Sequence, residues 1–250
     1  MTDLVSIIMP SFNSQSTILE SIESILQQEY KNWELLITDD CSTDSTVDII
    51  KNKIILDSRI KLFRLRNNSG AGYARNNSIK NASGRFIAFL DSDDTWHEKK
   101  LSDQIQFMLK NNIALSYTYY KVLGVNGVLS KEIQCPSKIN YKQLLKGNVI
   151  GCLTAVYDTN ILGKQYMPLI RKRQDMALWL TILQQIEFAY CFPKCLAYYR
   201  KGHNSLSSNK FKVLKSQWDI YRKHLHLSYI KTVYYFFNYV TNAIRKYYFK

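Results

Sequence analysis

Acidic residues are scarce in this sequence, and its cysteines never form a Cys-x-x-Cys pair. The 250 residues include 20 Asp and Glu against 34 Lys and Arg, a net charge of +14. Such an excess points to an anionic partner, and nucleic acid, an acidic membrane surface and a phosphorylated small molecule all satisfy it. The five cysteines (Cys41, Cys135, Cys152, Cys191 and Cys195) are odd in number, which argues against a disulfide framework or a zinc ribbon. Cys191 and Cys195 flank Pro193 in an apolar segment and read as buried thiols. Proline and glycine are also few, four and nine residues, while 46% of the chain is hydrophobic. That excludes a collagen-like chain and wholesale disorder. No apolar run is long enough to cross a bilayer, and the most suspicious stretch, residues 232–244, is uncharged but too short. The start has no basic segment, and its first apolar run, residues 4–9, is too short for a secretory signal. The expected location is therefore cytosolic, with contact to a membrane left open. There is no internal repeat and no low-complexity linker, and the length allows one large domain or two small ones.

What is present is an alternation of short apolar strands and amphipathic helices. Residues 5–9, 33–38, 60–65 and 86–90 read as strands. Between them lie helices from about residue 17, with Ile18, Leu19, Ile22, Ile25 and Leu26 on one face, from Asp44 or Ser45, and over 72–82. Strand–helix alternation implies a parallel sheet of β-α-β units, whose ligands bind at the carboxyl ends of the strands. Four polar clusters fall at those ends: Pro10, Ser11, Phe12 and Asn13; Asp39 and Asp40; Asn67 to Asn76; and Asp91, Ser92, Asp93 and Asp94. The second half is less regular, with a helix marked by Leu101, Ile105, Met108 and Leu109, strands over 114–120 and 151–156, and a buried helix over 174–185. One domain runs to about residue 210.

The clusters carry chemistry. Adjacent carboxylates at a strand end repel one another unless a cation is near. A hard divalent cation takes oxygen ligands and bridges carboxylates to phosphates, so Asp91 and Asp93 read as a metal–diphosphate site. The plain alternative is a solvated acidic turn with Asp94 capping the next helix. In residues 67–76 the third glycine of a dinucleotide fingerprint is Arg75, and the segment follows the third strand, which excludes a Rossmann dehydrogenase. Backbone N–H groups at a helix start, with Arg75 just inside, suit an anion. An ordinary glycine turn with a salt-bridging arginine is the other reading.

Taken in order, Pro10-Ser-Phe-Asn13, Asp39-Asp-Cys-Ser-Thr-Asp44, Asn68-x-Gly70-x4-Arg75-Asn76, Ala82-x-Gly84 and Phe89-Leu-Asp-Ser-Asp-Asp94 resemble the successive blocks of glycosyltransferase family 2. Downstream, Arg173-Gln-Asp-Met-Ala-Leu-Trp-Leu180 and the basic, serine-rich stretch from Tyr198 to Ser208 resemble its later blocks. The resemblance covers nearly the whole chain and is greatest to bacterial capsule, O-antigen and teichuronic-acid-type transferases. It implies an α/β GT-A fold, a Rossmann-like, mostly parallel sheet flanked by helices. The domain would cover 1–210, with a nucleotide-binding half over 1–95 and an acceptor half over 96–210, followed by a helical tail over 211–250. It implies inverting transfer from a nucleotide-diphosphate sugar, typically a UDP-sugar, to a lipid-diphosphate-linked saccharide. Pro10, Ser11, Phe12 and Asn13 would line the base pocket, and Asp39 would accept a hydrogen bond from the base. Arg75 would sit on the nucleotide side, with Ser92 among the donor contacts. Asp91 and Asp93 would hold Mn²⁺ or Mg²⁺, Asp93 being the safer ligand. Arg200, Lys201 and His203 would close over the diphosphate, and Asp175 would be the general base. Many relatives have Glu before that Asp, where this chain has Gln174. Tyr198 and Tyr199 are expected in a preceding strand.

The tail over 211–250 is strongly basic, with the single acid Asp219. Ile230, Val233, Tyr234, Phe237, Val240 and Ile244 share one helical face, and Lys231, Asn238, Asn242, Arg245 and Lys246 lie opposite. Such a helix suits a membrane interface, here the inner face of the bacterial cytoplasmic membrane. Packing on its own domain or on a twin subunit, as a homodimer, is the alternative. Two other functions compete: a scaffold that kept the fold without its chemistry, against which the complete Asp91, Asp93 and Asp175 set argues, and a nucleic-acid binder. The second is not expected, because carboxylates at the sheet edge repel phosphate.

Overall fold

Two seven-residue strands without one exposed position must be covered on both faces, and that requirement organises the fold. They are β1 (Val5–Ser11) and β2 (Trp33–Asp39). The computed structural model describes residues 3–124, 127–170, 172–201 and 210–248. In it, α1 (Ile18–Leu26) and α2 (Thr46–Leu56) follow these two strands, and then come β3 (Ile60–Arg64), α3 (Ala71–Asn81) and β4 (Phe86–Phe89). The order β3-β2-β1-β4 is parallel throughout, with Val5 opposite both Trp33 and Phe86. Chain order reverses beside β1, so the ends of β1, β2 and β4 open onto one crevice.

The second half completes the sheet with mixed pairing. It contains β5 (Thr95–Trp96), α4 (Lys100–Asn111), β6 (Leu115–Leu123), β7 (Lys138–Ile139), α5 (Tyr141–Leu144), β8 (Val156–Asp158), α6 (Thr159–Leu162), α7 (Gln174–Ile182) and β9 (Ala189–Arg200). β8 joins β4 and β6 antiparallel, and β9 runs parallel to β6. The strand expected over 151–156 is a 3-10 turn, Cys152–Thr154, and only then β8. In β9 the register jumps from Phe192 to Cys195 against β6. Pro193 lies in the skipped pair, where its missing N–H costs no ladder bond. Cys191 is buried and Cys195 half-buried in that strand, both as free thiols. Tyr198 and Tyr199 are in it too, as expected.

The period of two splits the core into two layers. Val5, Ile7, Met9, Leu35 and Ile37 pack with Ile18, Ile22 and Ile25 of α1 and with Leu101 and Ile105 of α4. Ile8, Leu36, Ile87 and Phe89 pack on the other face with Ile79 of α3 and with α7, whose Trp179 meets the Phe89 ring edge-on at 5.6 Å. Leu19 and Leu109, placed on the apolar faces by periodicity, are exposed instead. Gly84 lets the α3–β4 turn lie against β1: a Cβ there would sit 2.7 Å from the Leu4 carbonyl. Its N–H donates to Ser6 Oγ, which in turn donates to the buried Glu34.

The basic tail is not one helix. It forms α8 (Lys210–Asp219), a π-helical turn (Ile220–His224) and α9 (Tyr229–Tyr248). Ile220 and Tyr221 are fully buried in the same core as Trp179. α9 packs inward through Thr232, Tyr235 and Phe236, and Trp218 meets the Phe236 ring at 5.3 Å. The face carrying Ile230, Val233, Tyr234, Phe237 and Ile244 points outward.

Candidate active site

The four polar clusters do meet at one edge of the sheet, and each is stitched to its neighbour. Asp39 ends β2 fully buried. Its oxygens accept from Ser11 Oγ at 3.3 Å, from the Ser42 N–H at 3.0 Å and from the Ser42 hydroxyl. Pro10 and Ser11 are buried in β1, whereas the Phe12 ring is exposed beside them and free to stack on a flat ligand. Asn13 is left-handed (φ 46°), and its Oδ1 accepts from the Thr43 N–H at 2.9 Å. It therefore ties the loops after β1 and β2 together. Ser92 does the same between β4 and β1, with its hydroxyl 2.7 Å from that of Ser14.

Just before α3, the Ser69 and Gly70 N–H groups donate to Asp40 Oδ1 and Oδ2 at 2.7 and 2.8 Å. An internal carboxylate therefore takes these two donors, which suits the positive end of a helix. Asp40 was visible only as a neighbour of Asp39, because nothing local in the sequence says which loop it faces.

Arg75 is almost wholly buried and bridges the end of β4 to the start of α7. Its Nη2 donates to Asp91 Oδ1 at 2.5 Å and its Nη1 to Gln174 Oε1 at 3.2 Å. Burial opposes its charge, but Asp91 more than offsets that, and the guanidinium pKa is pushed up. The Nε has no partner. Gln174, on the first turn of α7, also donates from Nε2 to the Ile170 carbonyl at 2.6 Å. A Cβ at position 72 would lie 2.7 Å from that Nε2, so a side chain there would push the Gln174 amide out of its present position.

Asp175 follows Gln174, half-buried. Burial pushes its carboxyl above the usual range, against the Met176 N–H and then Arg75 and Arg173, which hold it down. Asn148, which carried no signal in the sequence, donates to Asp175 Oδ2 at 3.2 Å. Asp93, two residues past Asp91, is exposed. Desolvation by the surrounding protein and then the Asp91 charge push its carboxyl up to about 6. Asp94 is buried and does not cap a helix: α4 starts six residues later, and Asp94 Oδ1 accepts the Arg200 N–H at 2.8 Å. Arg200 donates from Nε to the Asp93 carbonyl at 3.0 Å and from Nη2 to Glu20 of α1. It stands at the rim, on the Asp93 side. His203 lies outside the described residues.

Among the described residues, no three His, Cys, Asp or Glu side chains gather as a group able to hold a metal. Asp91 is already paired with Arg75, and no described cation pairs with the Asp93 carboxylate. This donor set fits a hard cation shared with a diphosphate, whose oxygens would complete the shell.

Comparison with known proteins agrees with this geometry. Residues 6–162 match the profile of Glycosyl transferase family 2. The chain is 46% identical over 247 residues to WfgD of Escherichia coli, a UDP-Glc:alpha-D-GlcNAc-diphosphoundecaprenol beta-1,3-glucosyltransferase, covering 97% of this chain and 94% of that protein. It is 43% identical over 244 residues to TuaG of Bacillus subtilis, whose name assigns it to teichuronic acid biosynthesis, covering 97% of each. Among solved structures, S. aureus TarS in complex with UDP-GlcNAc superposes with a TM-score of 0.71 at 24% identity, over 88% of this chain and 66% of that one. A Pyrobaculum calidifontis mannosyltransferase in complex with GDP-Man and Mn²⁺ gives 0.68 at 14% identity, over 91% and 66%. These structures share the GT-A fold. With a sheet edge built from the expected blocks and relatives that match almost end to end, the chain belongs to glycosyltransferase family 2.

Proposed function

We propose that the protein transfers glucose from UDP-glucose to an N-acetylglucosamine carried on a lipid diphosphate, with inversion at the anomeric carbon. The donor and acceptor come from the names of the E. coli relatives WfgD and WfaP, 46% and 43% identical to this chain. The chemistry rests on one observation: the buried Arg75 guanidinium pairs with Asp91 on one side and bonds on the other to Gln174, the neighbour of Asp175, whose charge it also feels. An inverting displacement needs that layout, with a base on one side of the sugar and a diphosphate site on the other.

The uracil would stack on Phe12 and bond to Asp39, with Pro10, Ser11 and Asn13 shaping the pocket. The acceptor hydroxyl is a poor nucleophile at neutral pH, and Asp175 takes its proton during attack. Asn148 aims that carboxylate. Arg75 meets the negative charge that grows on the departing diphosphate. Asp93, with Asp91, would hold Mn²⁺ or Mg²⁺, which when bound supplies Lewis-acid stabilisation of the leaving group. An α-linked donor then gives a β-linked product.

A lipid-diphosphate acceptor would be met at the cytoplasmic membrane face, and the tail supports that reading. Ile230, Tyr229 and Phe237 are 83%, 65% and 68% exposed on α9. No acid follows Asp219, and Lys231 and Arg245 flank the apolar face. Cosedimentation with anionic but not neutral vesicles is expected. A concentration-dependent dimer with no vesicle binding would instead assign that face to a second copy.

The deciding experiment supplies UDP-glucose, UDP-galactose or UDP-N-acetylglucosamine with a synthetic N-acetylglucosaminyl diphospholipid, and reads the new linkage by NMR. Transfer of glucose in a β linkage, lost in Asp175→Asn, is expected. An α product, or undiminished transfer by that variant, overturns the mechanism. Titration with UDP and Mn²⁺ or Mg²⁺, before and after EDTA and in Asp93→Ala, tests the metal separately.

A further inference from the structure

The residue before Gln174 is unusual. Arg173 has a left-handed backbone, φ 61° and ψ 33°, at the entry to α7. That region is unfavourable for a residue with a side chain and persists only where the surroundings impose it. The surroundings here are the C-terminal helices. Arg173 Nη1 donates to Gln217 Oε1 of α8 at 2.9 Å, and Nη2 donates to the Tyr239 hydroxyl of α9. The guanidinium carbon lies 5.0 Å from the centre of the Tyr239 ring. Gln217 is fully buried, so this anchor is a fixed one.

The other support of Asp175 hangs on the same helices. Asn148 belongs to the segment after α5. Tyr221, buried in the π-helical turn, donates its hydroxyl to the Leu145 carbonyl. Asn242 of α9 donates to the Lys146 carbonyl at 3.2 Å. The Tyr221 and Asn242 contacts thus hold the main chain three and two residues before Asn148, while Arg173 holds the main chain two residues before Asp175.

We infer that the C-terminal helices are the frame that aims Asp175, with Arg173 as the positioning residue that transmits it. The inference rests on the reading of Asp175 as the base. It gives the tail a task inside the active site, separate from any contact its outer face makes. A base displaced by a fraction of an ångström loses much of its rate advantage without loss of donor affinity.

The experiment compares Arg173→Ala, Arg173→Lys and Tyr239→Phe in the full chain. Arg173→Ala should lower kcat by about ten- to a hundredfold, with the donor KM and the UDP affinity within about twofold of wild type. Its acid limb should move to higher pH. Among the described residues the groups facing Asp175 are Arg75, Arg173, Asn148, the Met176 N–H and, beyond Arg75, Asp91, and the variant removes one of these two described cations. Arg173→Lys should restore the limb but not the full kcat. Tyr239→Phe keeps the ring and packing, so it decides the matter even if Arg173→Ala does not fold. It should lower kcat several-fold and leave the limb in place. Wild-type kcat in both Arg173→Lys and Tyr239→Phe overturns the inference, as does a UDP affinity that falls in step with kcat. The Asp175→Asn control separates the two readings: if it still transfers, the base assignment fails first.

Discussion

Asp39 and Asp40 of the parallel half are held by the loops beside them, whereas Asp175 of the mixed half is held from the far end of the chain. Asp39 and Asp40 accept hydrogen bonds from residues within about thirty positions, on loops that adjacent strands bring together. Asp175 depends on Asn148, Arg75 and Arg173, and two of those are themselves anchored by distant elements. The Asp39–Asp40 end of the site is therefore tied within the parallel half, whereas Asp91 and Asp94 are tied across to the mixed half through Arg75 and Arg200. The supports of Asp175 are tied to the C-terminal helices.

The largest expected effect tests the division at its acceptor end. Asp175→Asn should lower transfer by about 10²- to 10⁴-fold, the range of a lost general base. UDP binding by calorimetry should be unchanged. A parallel loss of UDP affinity would show that the halves are not independent. Asp40→Ala tests the donor end. It leaves the Ser69 and Gly70 N–H groups without their charged acceptor, at a cost of about 3 kcal/mol in denaturant unfolding. A neutral result would mean that the loop bonds do not hold the donor half.

Asn148→Ala should cost about tenfold in kcat, the rate equivalent of one hydrogen bond to a charged group. In the proposed mechanism Asp175 works deprotonated, and its carboxyl is raised by burial. Turnover should therefore fall as the pH drops through that raised value. Removing a donor to the charged form raises it further, so the acid limb should move up in this variant. A fixed limb would remove Asn148 from the account.

The last test concerns stability in the mixed half. Lys100, fully buried at the start of α4, has its pKa lowered to about 7 by desolvation. Its ammonium donates to Gln104 and, at 3.2 Å, to the Thr154 carbonyl. Below pH 7 the folded protein carries the full penalty of a buried charge. Above it the folded state sheds a proton that the unfolded state keeps up to its ordinary value near 10. Wild type should therefore gain stability relative to Lys100→Met as pH rises from 7 to 10, by at most about 1.4 kcal/mol per pH unit. A difference independent of pH would show that the folded lysine keeps its proton throughout.

Legibility followed the same division. β1, β2, β3, α3 and β4 emerge within a residue or two of their observed bounds, because buried parallel strands read as plain apolar runs. The strand expected over 151–156 was displaced, since an apolar run cannot distinguish a 3-10 turn from the strand that follows it. Asp91, Asp93 and Asp175 stand out as residue types at element ends. Asn148, Asp40 and Glu20 do not, because their roles depend on partners that no local pattern names. Leu19 and Leu109 fit an apolar face by period, yet lie at its edge and face solvent.

The sequence by itself determined the strand–helix alternation, the crevice at the ends of β1, β2 and β4, and the residue types that carry the chemistry. Periodicity encodes how a side chain faces within its own element, and that is a local property. Only the tertiary structure decided that Arg75 joins Asp91 to Gln174 across 99 residues. It alone gave the α3 N-terminus to Asp40, turned the apolar stripe of α9 outward, and tied Arg173 to Tyr239 across 66 residues. Each of these pairs two elements distant in sequence, and the choice of partner is made by packing, which no single element contains.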